Sequence, residues 1–147
     1  MPPSSSRRAA TVCRVSAVID SLAWVLVRDR ALLCVRTRGK DKFYLPGGKR
    51  EQGESDVAGL RREIREELGV ELDPLSFTLF AVLDEPADGY SDGRRVRMTA
   101  YTARFSGELS PGSEIAEFAW LSAADAHRCP AAGRRVLNLL AQADRID

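Results

Sequence analysis

The sequence has almost no net charge, and this limits the classes of molecule that the protein can bind. Lysine and arginine together number 22 and aspartate and glutamate 21, which gives a formal net charge of +1 at pH 7. A chain without a strong positive field is not built to bind long nucleic acids or anionic membranes. The balance therefore favours a small-molecule partner over a nucleic-acid polymer or a membrane.

Cysteine and histidine, the usual soft metal ligands, are scarce. The three cysteines are Cys13, Cys34 and Cys129; their number is odd and no CxxC pair occurs, which argues against a zinc knuckle or a thioredoxin-like site. Cys13 and Cys34 lie in apolar, strand-like runs, where a free cysteine usually acts as a small hydrophobic residue. Free thiols of this kind predict a reducing, cytoplasmic setting. For the single histidine, His127, we expect a surface or capping role rather than catalysis.

Long apolar runs are also missing. The apolar stretch at residues 15–27 is too short to span a bilayer and contains Asp20. The first residues lack the apolar region of a signal peptide, so we expect a disordered leader over residues 1–11. Residues 12–147 have the length of one domain with its own core.

Hydrophobic periodicity predicts strands on both sides of a central helix. Strands are predicted at residues 12–27 (interrupted near 20–21), 31–36, 43–45, 76–83, 96–105 and 115–121. We expect the first two to form a hairpin. The central helix is predicted from Ser55, as N-cap, to Gly69, and a helical turn after Ser122 precedes a closing helix over 131–143. This order predicts a mixed α/β (α+β) sandwich with a mixed sheet.

The central helix carries two different faces. An apolar stripe within an arc of roughly 80° consists of Val57, Leu60, Ile64 and Leu68. An acidic face, within an arc of about 100° that borders the apolar one, consists of Glu63, Glu66 and Glu67. Gly59 interrupts the acidic flank at a cost of about 1 kcal/mol relative to alanine, so we expect a close approach of the chain there.

Three neighbouring carboxylates repel each other and need a counter-charge. Hard divalent cations such as Mg²⁺ take oxygen ligands and are the natural neutraliser. Just before the helix, Pro46-Gly47-Gly48 forms a glycine turn that can expose backbone amides, and Lys49 can reach a phosphate oxygen. We therefore expect Gly48 and Lys49 to bind the phosphates of a substrate.

The run from Gly48 to Val70 resembles the signature of the Nudix hydrolases. It reads glycine, five residues, Glu54, seven residues and then REIREELGV, with every defined position filled. The strand that leads into Leu45-Pro46-Gly47-Gly48 and a late strand with Trp120 resemble the family too. The resemblance implies an α/β/α sandwich, Mg²⁺ or Mn²⁺ as cofactor, and hydrolysis of a nucleoside diphosphate linked to another group.

The resemblance also implies a set of metal ligands. Glu63 and Glu67 resemble the main ligands, and the carbonyl of Gly47 resembles a backbone ligand. Glu66 resembles a further ligand or the group that orients the attacking water. Glu114 resembles a position that supplies an additional ligand or base; a loop carboxylate without such a role is the alternative.

Two more residues complete the expected catalytic set. Arg62 and Glu54 resemble the pair that braces the glycine-rich loop against the helix. Arg62 also lies one turn before Glu66, so an ion pair between them can fix that glutamate. Together with Glu66 and Glu67, they are the residues that we expect to support attack of water on a phosphate, with a carboxylate taking the proton.

Several alternatives stay open. We expect a damaged or ordinary nucleoside triphosphate as substrate, with ADP-ribose or a nucleotide sugar as the alternative. A nucleotide sensor without turnover is a second possibility, and an isomerase of isoprenoid diphosphates is a third, provided that Cys34 or Cys13 faces the cleft. Base specificity is expected chiefly in the loop of residues 84–95 and in the early strands. Phe43, Tyr44 and Tyr90 are candidates for stacking on a base, with packing in the core or at its rim as the favoured role of each. The chain is expected to act as a monomer or homodimer.

Overall fold

The computed structural model of the protein describes residues 18–90 and 92–147. The predicted leader, the start of the predicted first strand and Cys13 lie outside these residues. The strands are β1 Val18–Trp24, β2 Val27–Arg28, β3 Ala31–Thr37, β4 Gly47–Lys49, β5 Glu71–Leu72, β6 Thr78–Pro86, β7 Arg95–Thr102, β8 Phe105–Ser106 and β9 Ile115–Leu121. The helices are α1 Asp56–Leu68, α2 Ala131–Gln142 and, just before α2, a 3-10 helix Ala123–Arg128.

Within the described residues the strands form three sheets. The largest has the order β4-β1-β7-β6; β1 and β7 are parallel and the other neighbours antiparallel. The second, β2-β3-β9, is antiparallel, and β5 pairs with β8. The prediction of a mixed sheet is confirmed. No helix in the described part of the chain is both long enough and apolar enough to cross a membrane.

Alternating residues of β1 belong to two different hydrophobic clusters. Leu22 and Trp24 pack in the cluster that contains the buried face of α1, whereas Ala23 and Val25 pack in the cluster that contains the buried face of α2. Strand β3 divides its side chains between the two clusters in the same way. Because both larger sheets contribute to both clusters, the helices lie on opposite faces of the strand layer, and the α/β/α sandwich is confirmed.

Helix α1 begins and ends where the sequence predicts. The Ser55 hydroxyl accepts a hydrogen bond from the Ala58 N–H at 3.1 Å, which satisfies a free donor of the first turn. Gly69 adopts the left-handed conformation, with φ of 72°, and its N–H donates to the Arg65 carbonyl. The two caps define the ends of the helix.

The predicted apolar stripe holds for three of its four positions, because Val57 is only half-buried. The fully buried members are Leu60, Ile64 and Leu68. The expected close approach at Gly59 is confirmed, since a Cβ there would lie 2.9 Å from Leu22 Cδ1 and 3.1 Å from Glu54 Oε1. Glycine at this point lets α1 pack directly on β1.

The prediction of the first hairpin is wrong in part. Strand β1 runs without interruption through Asp20 and Ser21 and lies between β4 and β7, away from β3. Only the short β2 forms a hairpin with β3, across Asp29 and Arg30, whose φ angles are 51° and 62°. The chain changes sheets between β1 and β2, and hydrophobic patterning does not indicate such a change.

The glycine turn is itself part of a sheet, which the sequence did not predict. Residues 47–49 form β4 and pair with β1, whereas residues 43–45 contribute a single bridge, between Tyr44 and Val35. Gly47 has φ of 144°, and a Cβ at this position would overlap the carbonyl oxygen of Leu22. Only glycine permits this close pairing.

The other boundaries shift by a few residues. Strand β6 continues to Pro86 and β7 begins at Arg95, so the connecting loop is residues 87–94 rather than 84–95. Strand β7 ends at Thr102, and the end of the predicted strand belongs to the separate β8. Strand β9 matches the prediction.

Candidate active site

A cavity of about 350 Å³ opens beside the glycine strand β4. Its volume is near the lower end for small-molecule sites. Gly47, Gly48, Lys49 and Glu67 line it on the side of the Nudix-like run. The rest of its wall is largely apolar and comes from the strands, the loop 87–94 and the start of α2, with Leu22, Val35, Leu45, Pro86, Val96, Met98 and Pro130.

Glu67 connects α1 to the glycine strand. Its Oε1 accepts a hydrogen bond from the Gly47 N–H at 3.0 Å. Burial raises the pKa of Glu67 to about 8, and the charges of Glu63, Glu66 and Glu114 act in the same direction. Ionisation of the Glu67 carboxylate is therefore unfavourable unless a cation binds beside it.

Glu63 lies one helical turn earlier and rests directly on the glycine strand. A Cβ on Gly48 would be 2.5 Å from the Glu63 carboxyl carbon, so glycine leaves the space that this carboxylate fills. Arg62 Nη1 donates to Glu63 Oε2 at 3.0 Å. Burial raises the pKa of Glu63, and Arg62 opposes that effect.

Glu66 and Glu114 are the more exposed members of the acidic set. The Glu66 side chain is 62% exposed, and its Oε1 lies 3.6 Å from Arg62 Nη1. Glu114 precedes β9, and its carbonyl accepts a hydrogen bond from the Arg38 N–H at 2.9 Å. The residue is exposed, and its charge is one of those that raise the pKa of Glu67.

Arg62 and Glu54 form a two-point ion pair. Arg62 Nε donates to Glu54 Oε2 at 2.7 Å and Nη2 to Oε1 at 2.9 Å. Glu54 Oε1 also accepts from the Glu51 N–H at 3.3 Å, and Arg62 lowers the pKa of Glu54. The pair connects the loop after β4 to α1, and the same guanidinium holds Glu63.

In residues 18–90 and 92–147, no three histidine, cysteine, aspartate or glutamate side chains converge closely enough to hold a metal ion as they stand. In this arrangement Arg62 donates to Glu63, and the Gly47 N–H donates to Glu67. The donor set is still one that Mg²⁺ or Mn²⁺ prefers, carboxylate oxygens with a backbone carbonyl nearby. Burial raises the pKa of both Glu63 and Glu67. A bound cation would therefore offset the free-energy cost of ionising these two carboxylates, and the residues fit such an ion.

The remaining predicted residues separate into those at the cavity and those away from it. Lys49 is exposed at the cavity wall, as is Tyr90. His127 is exposed, with Nδ1 3.2 Å from the Ala124 carbonyl, and does not line the cavity. Cys34 and Cys129 are buried in the α2-side cluster. The isomerase alternative therefore loses Cys34 as a cleft residue, while Cys13 lies outside the described residues.

Asp88, in the loop between β6 and β7, is a site residue that no sequence motif indicates. It lines the cavity, and Tyr44 donates to its Oδ2 at 2.6 Å while Lys42 donates to its Oδ1 at 3.0 Å. The sequence places it in a turn-rich stretch, where an aspartate usually serves the turn itself. Only the fold brings it next to Lys42 and Tyr44.

Comparisons with known proteins agree with this geometry. A family model described as NUDIX domain matches residues 18–140. The solution structure of the ORF135 protein of E. coli is 25% identical, with a TM-score of 0.67, and the match covers 88% of this chain and 95% of that one. The crystal structure of the MutT NUDIX hydrolase from Burkholderia pseudomallei is 27% identical, with a TM-score of 0.65, covering 82% and 96%.

One curated relative has a name that specifies a nucleotide. The protein named putative 8-oxo-dGTP diphosphatase 2 in Mycobacterium tuberculosis is 33% identical over 86 residues, which is 58% of this chain. The match spans 57% of the length of that relative.

Proposed function

The chain belongs to the Nudix family, and from this premise we propose that it is a divalent-metal-dependent diphosphohydrolase of nucleoside triphosphates. The observation that carries the proposal is the position of Glu63 and Glu67. Both carboxylates lie against the glycine strand, beside a cavity with an apolar wall. An enzyme of this kind needs charge neutralisation at the phosphates and an adjacent pocket for the base.

Each member of the acidic set has a part in this proposal. Glu63, Glu67 and the Gly47 carbonyl would hold Mg²⁺ or Mn²⁺, with Glu66 and Glu114 as further ligands. Once bound, the ion neutralises phosphate charge and lowers the pKa of the attacking water. Glu66 is exposed and only loosely paired with Arg62, which suits a carboxylate that accepts the proton of that water.

The other residues bind and position. The ammonium of Lys49 contacts phosphate oxygens from the cavity wall. Gly48, which has no side chain, lets those oxygens approach the backbone of β4. Arg62, anchored by Glu54, keeps Glu63 over Gly48. The apolar walls exclude water from one side of the nucleotide and favour a stacked base.

Triphosphates are placed ahead of ADP-ribose and nucleotide sugars because of the curated relative, whose name specifies 8-oxo-dGTP. The first substrate to test is therefore 8-oxo-dGTP, followed by the ordinary deoxynucleoside triphosphates. We propose a small-molecule nucleotide as the only partner that turnover requires.

The test is a panel of nucleotides incubated with the protein and Mg²⁺ or Mn²⁺, with separate detection of pyrophosphate and orthophosphate. The expected products are a nucleoside monophosphate and pyrophosphate. Glu67→Gln, which keeps the shape of the side chain, is the background control. If no nucleotide is hydrolysed faster than with this variant while nucleotides still bind, the chain is a sensor and the proposal is wrong.

A further inference from the structure

The carboxylate of Asp88 is held in place from two sides. The Tyr44 hydroxyl donates to Oδ2 at 2.6 Å, and the Lys42 ammonium donates to Oδ1 at 3.0 Å. These two bonds lower the pKa of Asp88, so the group is ionised at neutral pH. An ionised carboxylate only accepts hydrogen bonds.

The two anchors leave a defined acceptor capacity. A carboxylate offers about four lone-pair sites, two on each oxygen. Tyr44 occupies one site on Oδ2 and Lys42 one on Oδ1. Counting the contacts within residues 18–90 and 92–147, one acceptor site therefore remains on each oxygen, which suits two parallel N–H donors on the same edge of a ligand.

The surroundings of Asp88 make it the group best placed to discriminate between bases. Among the described residues that line the cavity, the carboxylates are Asp88 and Glu67, and Glu67 is committed to Gly47 and the acidic set. The same cavity is also lined by the apolar side chains of Pro86, Met98 and Pro130, which suit the faces of a flat ring rather than its polar edge.

Base edges differ in the donors that they present. The guanine edge carries N1–H and N2–H₂ side by side. On adenine and cytosine a ring nitrogen acceptor lies beside the amino group. On thymine and uracil two carbonyls flank the N3–H. Each of these acceptors would be repelled by the oxygens of a carboxylate. An oxidised guanine such as 8-oxoguanine keeps both adjacent donors.

We propose that Asp88 is a specificity-determining residue that selects guanine-type bases through their paired N1–H and N2–H₂ donors. The inference rests on the proposed nucleotide hydrolysis for its substrate, but it concerns the base and not the bond that is broken. Tyr44 and Lys42 act as positioning residues, because each holds one oxygen of the carboxylate.

The first test needs no variant. dITP carries hypoxanthine, which keeps N1–H but lacks the 2-amino group. The wild-type protein is expected to show a kcat/KM for dGTP about 10- to 100-fold above that for dITP, the discrimination typical of a paired contact to a base edge. It should hydrolyse dATP and dTTP more slowly still. Equal kcat/KM for dGTP and dITP would overturn the proposal.

The second test removes the acceptor. Asp88→Asn presents an amide N–H₂ in place of one oxygen and should lower kcat/KM for dGTP about 10- to 100-fold while changing that for dITP less. Asp84→Asn is the matched control, because Asp84 is an exposed aspartate of β6 that pairs with Arg95 and does not line the cavity. Should Asp88→Asn fail to fold, Tyr44→Phe serves instead and should reduce the dGTP to dITP ratio several-fold.

A binding measurement separates this inference from the proposed function. Calorimetric titration with dGDP and dIDP requires no turnover. Selective binding of dGDP that Asp88→Asn abolishes, in a protein that hydrolyses no nucleotide, would support the role of Asp88 and overturn the hydrolase. Hydrolysis at equal rates for all bases, unchanged in Asp88→Asn, would support the hydrolase and overturn the role of Asp88.

Discussion

The carboxylate of Glu63 occupies the space that a side chain on Gly48 would fill, with its carboxyl carbon 2.5 Å from the position of a Cβ. Gly48 and Glu63 are fifteen positions apart, and the missing side chain of Gly48 provides the space for the carboxylate of Glu63. The contact joins α1 to β4 at the point where the proposed phosphate and metal sites meet. It also explains why this glycine, whose backbone φ is not positive, is still required.

Gly48→Ala should therefore impair activity much more than folding. The added methyl group pushes the Glu63 carboxylate away from β4, and a displacement of about 1 Å at a catalytic site can lower the rate about 100-fold. Steady-state kinetics together with circular dichroism measures both effects. Gly39→Ala is the control: Gly39 has φ of 83° and nothing within 4 Å of a Cβ, so it tests backbone strain alone, and it should retain full activity. Equal activity of the two variants would contradict the prediction.

Glu67→Gln should stabilise the protein in the absence of metal while abolishing most of its activity. Burial raises the pKa of Glu67 from 4.5 to about 8, so the folded state favours the protonated form. Stability is therefore lost as the pH rises from about 4.5 to about 8, the window between the unfolded and folded values. Removing this ionisation penalty should raise Tm by several degrees, because each kcal/mol corresponds to roughly 2–4 °C in a chain of this size.

Differential scanning fluorimetry at pH 5 and pH 8, with and without Mg²⁺, measures this effect. The variant should exceed the wild type in Tm at pH 8 and differ little at pH 5. Mg²⁺ should raise the Tm of the wild type and have less effect on Glu67→Gln. A variant less stable than the wild type at pH 8 without metal would show that the buried carboxylate is favourable as it stands.

Glu54→Gln should weaken the metal site without unfolding the protein. It replaces one of the two acceptors of Arg62 and so loosens the guanidinium that holds Glu63. Groups that orient metal ligands typically contribute 10- to 100-fold in affinity or activity, so the Mg²⁺ concentration for half-maximal rate should rise by about that factor. Tm should change little, because partly exposed ion pairs contribute about 0–1 kcal/mol.

Arg65→Lys is the matched control for the Glu54 variant. Arg65 makes a comparable two-point pair with Glu71, at 2.5 and 2.7 Å, on the exposed side of the same helix. It does not line the cavity. If this variant raises the Mg²⁺ requirement as much as Glu54→Gln does, the effect is general to α1 and not specific to the brace.

The sequence predicts structural features that depend on residues close together in the chain. It does not predict contacts between residues that are far apart in the chain. Helix α1 follows from local signals, since Ser55 caps it and Gly69 ends it. Strand β4 was missed because its pairing with Leu22 is set by a backbone approach that no residue pattern encodes. Asp88 was missed for the same reason, because its contact with Tyr44 spans 44 positions.

Glu114→Gln decides whether the carboxylate before β9 takes part in the site or is only a loop residue. Its charge raises the pKa of Glu67, so removing it should favour ionisation of Glu67 in the free protein and remove one oxygen donor from a bound ion. The expected result is a fall in kcat of about 10-fold, as for loss of one supporting group at a metal site. Glu117→Gln is the control, because Glu117 is as exposed but forms a cross-strand pair with Arg36 at 2.8 Å. Parallel measurement of kcat and Mg²⁺ dependence in both variants separates the two roles: equal rates would leave Glu114 as a loop carboxylate, whereas a selective loss would add it to the acidic set that surrounds Glu67.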